Sequence, residues 1–89
     1  MESVFKELSK YLGFNYNEIL DFRYYVLSNS VIYVVGYKKI LSYSLEQIVL
    51  GIKNNEFNIV GADLNIKELD KSNIVITGKI NKVYLSKEL

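Results

Sequence analysis

The stretch QIVLGIKNNEFNIVGADLNIK, from Gln47 to Lys67, decides the fold class. Its apolar residues recur at every second position: Ile48, Leu50 and Ile52, then Phe57 and Ile59, then Leu64 and Ile66. That period marks strands with one buried face, because successive side chains point to opposite sides of a sheet. With Asn54-Asn55 as a two-residue hairpin loop, Lys53 falls opposite Glu56, Ile52 opposite Phe57 and Leu50 opposite Ile59. Opposite charges then meet at the turn while the apolar pairs share a face. A second tight turn at Gly61-Ala62 pairs Ile59 with Leu64 and Phe57 with Ile66 on the same face. The face is strongly specified, since a one-residue slip would turn all of these side chains to water.

Working outward, the same reading predicts strands over residues 22–27, 31–35, 40–43, 47–53, 56–60, 63–67 and 73–85, each rich in β-branched or aromatic residues. Ser28-Asn29-Ser30 and Asp70-Lys71-Ser72-Asn73 carry turn chemistry, and the chain has no proline to interrupt a ladder. In the last run Ile74, Ile76, Gly78 and Ile80 share one parity, whereas Val83 and Leu85 take the other. A bulge near Asn81-Lys82 would return the latter two to the core, and Gly78 would let the strand bend. The first 20 residues differ in period. Val4, Phe5, Leu8, Tyr11 and Leu12 form one helical stripe, capped by Ser3 and ended by Gly13, and Asn15 with Glu18 could open a further turn. The expected fold is therefore mainly β, of α+β type, in a single domain over residues 1–89. An N-terminal amphipathic helix (1–20) precedes an antiparallel meander of about seven short strands (22–86), forming a curled sheet, small barrel or sandwich.

Composition excludes whole classes of chemistry. The 89 residues include no His and no Cys, so imidazole bases, thiolate nucleophiles, Cys/His zinc sites and disulfides have no ligands or groups to use. A net charge of +1 gives little electrostatic footprint for nucleic acid or an anionic membrane. No basic region followed by an apolar one opens the chain, and no run of about 18 apolar residues occurs, so a soluble, cytoplasmic protein is expected.

The remaining candidate groups have plainer explanations. Asp63 with Glu68 and Asp70, or Glu18 with Asp21, could chelate a hard cation or share a proton, but no calcium-loop spacing accompanies them, and turn-flanking carboxylates are ordinarily solvated. Ser42, Ser44 and Ser72 have no histidine to activate them. The five glycines are far apart and form no phosphate-binding loop. We expect no catalytic residue, no metal site, no cofactor and no small-molecule substrate. The stronger alternative is a small β-barrel binding single-stranded nucleic acid, with Arg23-Tyr24-Tyr25, Tyr33 and Tyr37-Lys38-Lys39 supplying stacking rings and cations. Near-neutral charge makes this the second choice, and Tyr24, Tyr33 and Tyr37 are expected instead to be structural residues of half-buried strands or members of a protein contact surface. So much apolar strand on so short a chain favours homo-oligomerisation or docking to another protein.

Three segments carry a resemblance: residues 37–48, with Ile40, Tyr43 and Ile48; residues 56–69, with Ile59, Gly61, Leu64 and Ile66; and residues 74–80, with Ile76, Gly78 and Ile80. Together they resemble the YabP/YqfC family of sporulation proteins, closer to the YqfC branch in length and in the short amphipathic lead. The chain departs from the family pattern in lacking a proline before the first strand, in having Val35-Gly36 for a Glu-Asn pair, and in placing Gly51 at a Thr-rich strand end. The resemblance implies a non-enzymatic protein that supports spore cortex or coat morphogenesis in the mother cell, at or near the forespore surface. It also implies a membrane-bound companion similar to YqfD. The residues that match are core apolars and turn glycines, which define a fold more closely than a chemistry.

Overall fold

The computed structural model describes residues 22–87. Six strands follow one another: β1 (Arg23–Leu27), β2 (Val31–Val35), β3 (Lys39–Tyr43), β4 (Gln47–Ile52), β5 (Asn55–Leu69) and β6 (Asn73–Lys87). All neighbours pair antiparallel, in the order β1-β2-β6-β5-β4-β3. Two expectations are corrected. Among the described residues the fold is all-β rather than α+β, the expected helix over residues 1–20 lying outside them. The sheet is also no simple meander of seven short strands, because β2 sits beside β6 and the two runs at 56–60 and 63–67 belong to one strand.

The reason lies at Gly61. The interval from Ile59 to Leu64 is odd, so both side chains can face the core only if the chain turns between them or bulges. The chain bulges: β5 continues past Gly61-Ala62, and Asp63, at φ 53°, absorbs the parity change between the pairs Ala62–Lys79 and Asn65–Thr77. Gly61 lies so close to β6 that a Cβ there would run into the Lys79 carbonyl oxygen. On the facing strand, a Cβ at Gly78, where φ is 137°, would fall only 2.6 Å from the Asp63 carbonyl oxygen, too close to be accommodated without a shift. The two glycines let the long β5–β6 ribbon bend at one point. A further shift leaves Asn81 unpaired between Ile80 and Lys82, where the change of parity predicted a bulge, and it brings Val83, though not the exposed Leu85, against the core.

The hairpin between β4 and β5 differs from expectation by two residues. Its loop is Lys53-Asn54, with Asn54 at φ 65°, and Leu50 pairs with Phe57 and Ile48 with Ile59. A shift of two preserves the faces, so the apolar set stays buried as the alternation required. The turns at Ser28-Asn29 and Asp70–Asn73 form where the sequence placed them. Both Ser28 and Asn29 have positive φ, as a type I′ hairpin turn demands, and the Asp70 carboxylate accepts from the backbone N–H groups of Ser72 (2.9 Å) and Asn73 (2.8 Å).

The ribbon carries the sheet around a single core. The first half of β6 pairs with β2 and the first half of β5 pairs with β4, so bending the ribbon folds the β1–β2 end over the β3–β4 end. Phe22 and Tyr24 consequently reach Phe57, with ring centroids 5.0 and 4.8 Å apart, although two strands separate β1 from β5 in the sheet. Neighbouring strands in a flat sheet are about 4.8 Å apart, so contact across that interval requires strong curling. Ile32, Val34, Ile48, Leu50, Ile59 and Ile76 are among the fully buried residues of the core. The sheet still has two ends, β1 and β3.

Candidate functional site

The β3 end is held rigidly while its side chains remain in water. The connection from β2 is fastened to the β5–β6 turn by Gly36 N–H donating to Ser72 O (2.7 Å) and by the Tyr37 hydroxyl donating to Asp70 O (2.6 Å). Burial, and secondarily the Asp70 charge, push the Tyr37 phenol above its ordinary pKa of 10.0. Lys38 N–H then donates to Gly51 O (2.7 Å) and opens the pairing with β4. At the far end the Ser44 hydroxyl accepts from Gln47 N–H (3.0 Å), closing the β3–β4 turn. The tip is tied to β5, where Gly61 N–H donates to Glu46 O and Leu64 N–H to Leu45 O, both at 2.9 Å.

Between these anchors every residue from Lys38 to Glu46 is exposed. Four of them are large and apolar: Ile40 (38%), Leu41 (39%), Tyr43 (49%) and Leu45 (59%). Leu41 is the extra residue of a bulge, Ile40 pairing with Leu50 and Ser42 with Val49. The Tyr43 hydroxyl donates to Asn65 Oδ1 (3.3 Å), which steadies that ring over β5. Two lysines, Lys38 and Lys39, stand at one end of the segment and Glu46 at the other. An apolar row on a rigid backbone, with one unpaired strand edge, can bind a protein segment through packing and main-chain hydrogen bonds. Among the described residues no three His, Cys, Asp or Glu side chains gather as metal ligands would.

The residues singled out from the sequence separate into three groups. Ile48, Ile59, Leu64, Ile76 and Ile80 are buried in the core and Ile66 packs against it, while Gly61 and Gly78 mark the bend. Ile40 and Tyr43, which the family resemblance counted among its structural residues, are on the exposed edge instead. Of the three tyrosines expected to form a contact surface, Tyr24 is substantially exposed (43%), whereas Tyr33 (0%) and Tyr37 (7%) are inside. That burial leaves no row of stacking rings at those three positions. The clue to the exposed edge was the adjacent pair Ile40-Leu41, which breaks the period of two.

The described residues form a small all-β sheet domain whose edge strand β3 exposes large apolar side chains. More specifically, a model of the YabP family matches residues 24–88, nearly the whole described sheet, and the chain belongs to that family. Membership associates it with sporulation. No curated protein and no solved structure matches the chain.

Proposed function

We propose that the chain is a non-enzymatic structural protein of endospore formation, of the YqfC type, and that it works by presenting the β3 edge to other proteins. The family match over residues 24–88 carries this reading. Its geometric support is the anchored apolar segment from Lys38 to Glu46, which lies wholly within the matched region. The composition agrees with it, since a chain with neither His nor Cys is poor in the groups most used for catalysis. In this role the protein is made in the mother cell and supports cortex or coat assembly at the forespore, beside a membrane-bound companion resembling YqfD. Among the described residues no helix is long and apolar enough to cross a membrane, so on this reading membrane attachment comes through the companion.

A fluorescent fusion expressed from the native locus of the spore former that carries the gene tests the reading. We expect signal only in sporulating cells, concentrated around the forespore, and defective cortex or coat on deletion. Uniform signal in vegetative cells, with normal spores after deletion, would overturn it.

A further inference from the structure

We propose that the outer face of the β2–β6 pair, formed by Tyr33, Val35 and Val75, is a docking surface whose occupant is the chain's own N-terminal segment, residues 1–20. Strand β2 is an unbroken apolar run, Val31 to Val35, without the alternation of a strand that has one side in water. Ile32 and Val34 point into the core with their partners Ile76 and Ile74. Tyr33 pairs with Tyr25 and Val75 on the opposite face, and none of Tyr33, Val35 and Val75 belongs to the core cluster. Nevertheless Tyr33 is 0% and Val75 1% exposed, and Val35 is buried as well. Farther along β6 the same outer side is wet, with Tyr84 at 43%. The six strands form one sheet curled around the core, so its outer face is convex and the sheet cannot cover it. A dry patch on that face requires a further layer.

Position, length and composition select the occupant. Strand β1 starts at Arg23, which pairs with Val35, so the residues before it leave the sheet beside this face. The row from Tyr25 through Tyr33 and Val75 to Glu68 crosses four strands, about 14 Å, which about five residues of extended chain can span. Residues 1–20 exceed that reach and carry Val4, Phe5, Leu8, Tyr11 and Leu12, apolar side chains that match a patch made of a tyrosine and two valines. The burial of Tyr33 and Val75 is complete in one copy of the chain, so it calls for no second copy. Strand β3 lies at the other end of the sheet order, and a segment seated on β2 and β6 is remote from it.

Nuclear Overhauser spectra of the isotopically labelled full chain test the proposal, with an equal mixture of labelled and unlabelled copies to separate contacts within a chain from contacts between chains. The expected contacts run from the Tyr33 ring and the Val75 methyls to side chains of residues 4–12 of the same chain. Leu8→Asp combined with Leu12→Asp should move the Tyr33 and Val75 resonances and make the Tyr33 ring reactive toward a photoexcited flavin dye, while the resonances of Ile59 and Leu64 in the core stay in place. Contacts from Tyr33 to strand residues alone, contacts that arise only between chains, or a folded double variant in which Tyr33 remains unreactive would each overturn the proposal. Should the double variant fail to fold, the wild-type spectra decide. None of those outcomes touches the fusion experiment above, so a failure of this docking is distinguishable from a failure of the sporulation role.

Discussion

Asn58 is the buried polar residue among those described, and its bonds explain why it is tolerated there. Its Nδ2 donates to Ser86 Oγ (2.9 Å) and Tyr84 O (3.3 Å), while Oδ1 accepts from Gln47 Nε2 (3.4 Å). One amide thus links β4, β5 and β6 on the face away from the core. Replacing it with Ala strands those partners, and Asn58→Ala should lower the unfolding free energy by about 1–3 kcal/mol in urea denaturation. Sequence alone gave no sign of this, because an Asn alternating with Phe57 and Ile59 reads as an exposed strand position. Tyr37 was visible as an aromatic, but its burial was not. Its phenol titrates above 10.0 in the folded chain, so its contribution is complete below that pH and is lost as pH climbs through the raised folded value. Tyr37→Phe should cost about 1 kcal/mol at neutral pH for the missing bond to Asp70, and the deficit should narrow as denaturation is repeated above pH 10. A deficit that stays constant into strong alkali would contradict this placement of Tyr37.

At the scale of the element, β5 shows how far alternation can be read and where it fails. Its two runs and their buried face follow from the spacing of Phe57, Ile59, Leu64 and Ile66, as does the pairing of the first run with β4, though in a register two residues from the expected one. Whether the odd interval between the runs is a turn or a bulge does not follow, since either device restores parity. The decision is made by what lies opposite, namely Lys79 and Gly78 of β6, which are more than 15 residues away in sequence and leave no local trace. Asp63 then bears the conformational cost of the bulge at φ 53°. Asp tolerates that region through its short polar side chain, whereas a β-branched residue does not. Asp63→Val should therefore destabilise the protein by about 1–2 kcal/mol, while Asp63→Asn should be close to neutral in the same urea titration. If Asp63 instead occupied a tight two-residue turn, Gly61→Ala and Gly78→Ala would be unrelated changes. The bend predicts that both disturb the same close approach of β5 to β6, through the Lys79 and Asp63 carbonyls respectively, and their combined effect should fall short of the sum.

Over the whole molecule, the pairing of β2 with β6 determines the architecture and was the least legible feature. Val31–Val35 reads as a buried strand, yet its partners are Asn73–Thr77, beyond three intervening strands. Short hairpins announce themselves through turn residues, but a pairing across some 40 residues has only shape and burial to specify it. The same separation should govern folding. The β3-β4-β5 segment closes short loops and can form early, whereas joining β2 to β6 must meet the closure entropy of the intervening chain before its contacts reward it. Refolding by stopped flow should therefore be a single phase in the millisecond-to-second range, slow for a chain of this length. Ile48→Val and Ile59→Val should chiefly slow refolding, while Ile32→Val and Ile76→Val, on the late pair, should chiefly speed unfolding. The reverse distribution would mean that the ribbon and β2 assemble first and that the β3–β4 hairpin docks last. In that case the exposed edge would be the final element to form, and the binding proposed for that edge would compete with the last step of folding instead of following it.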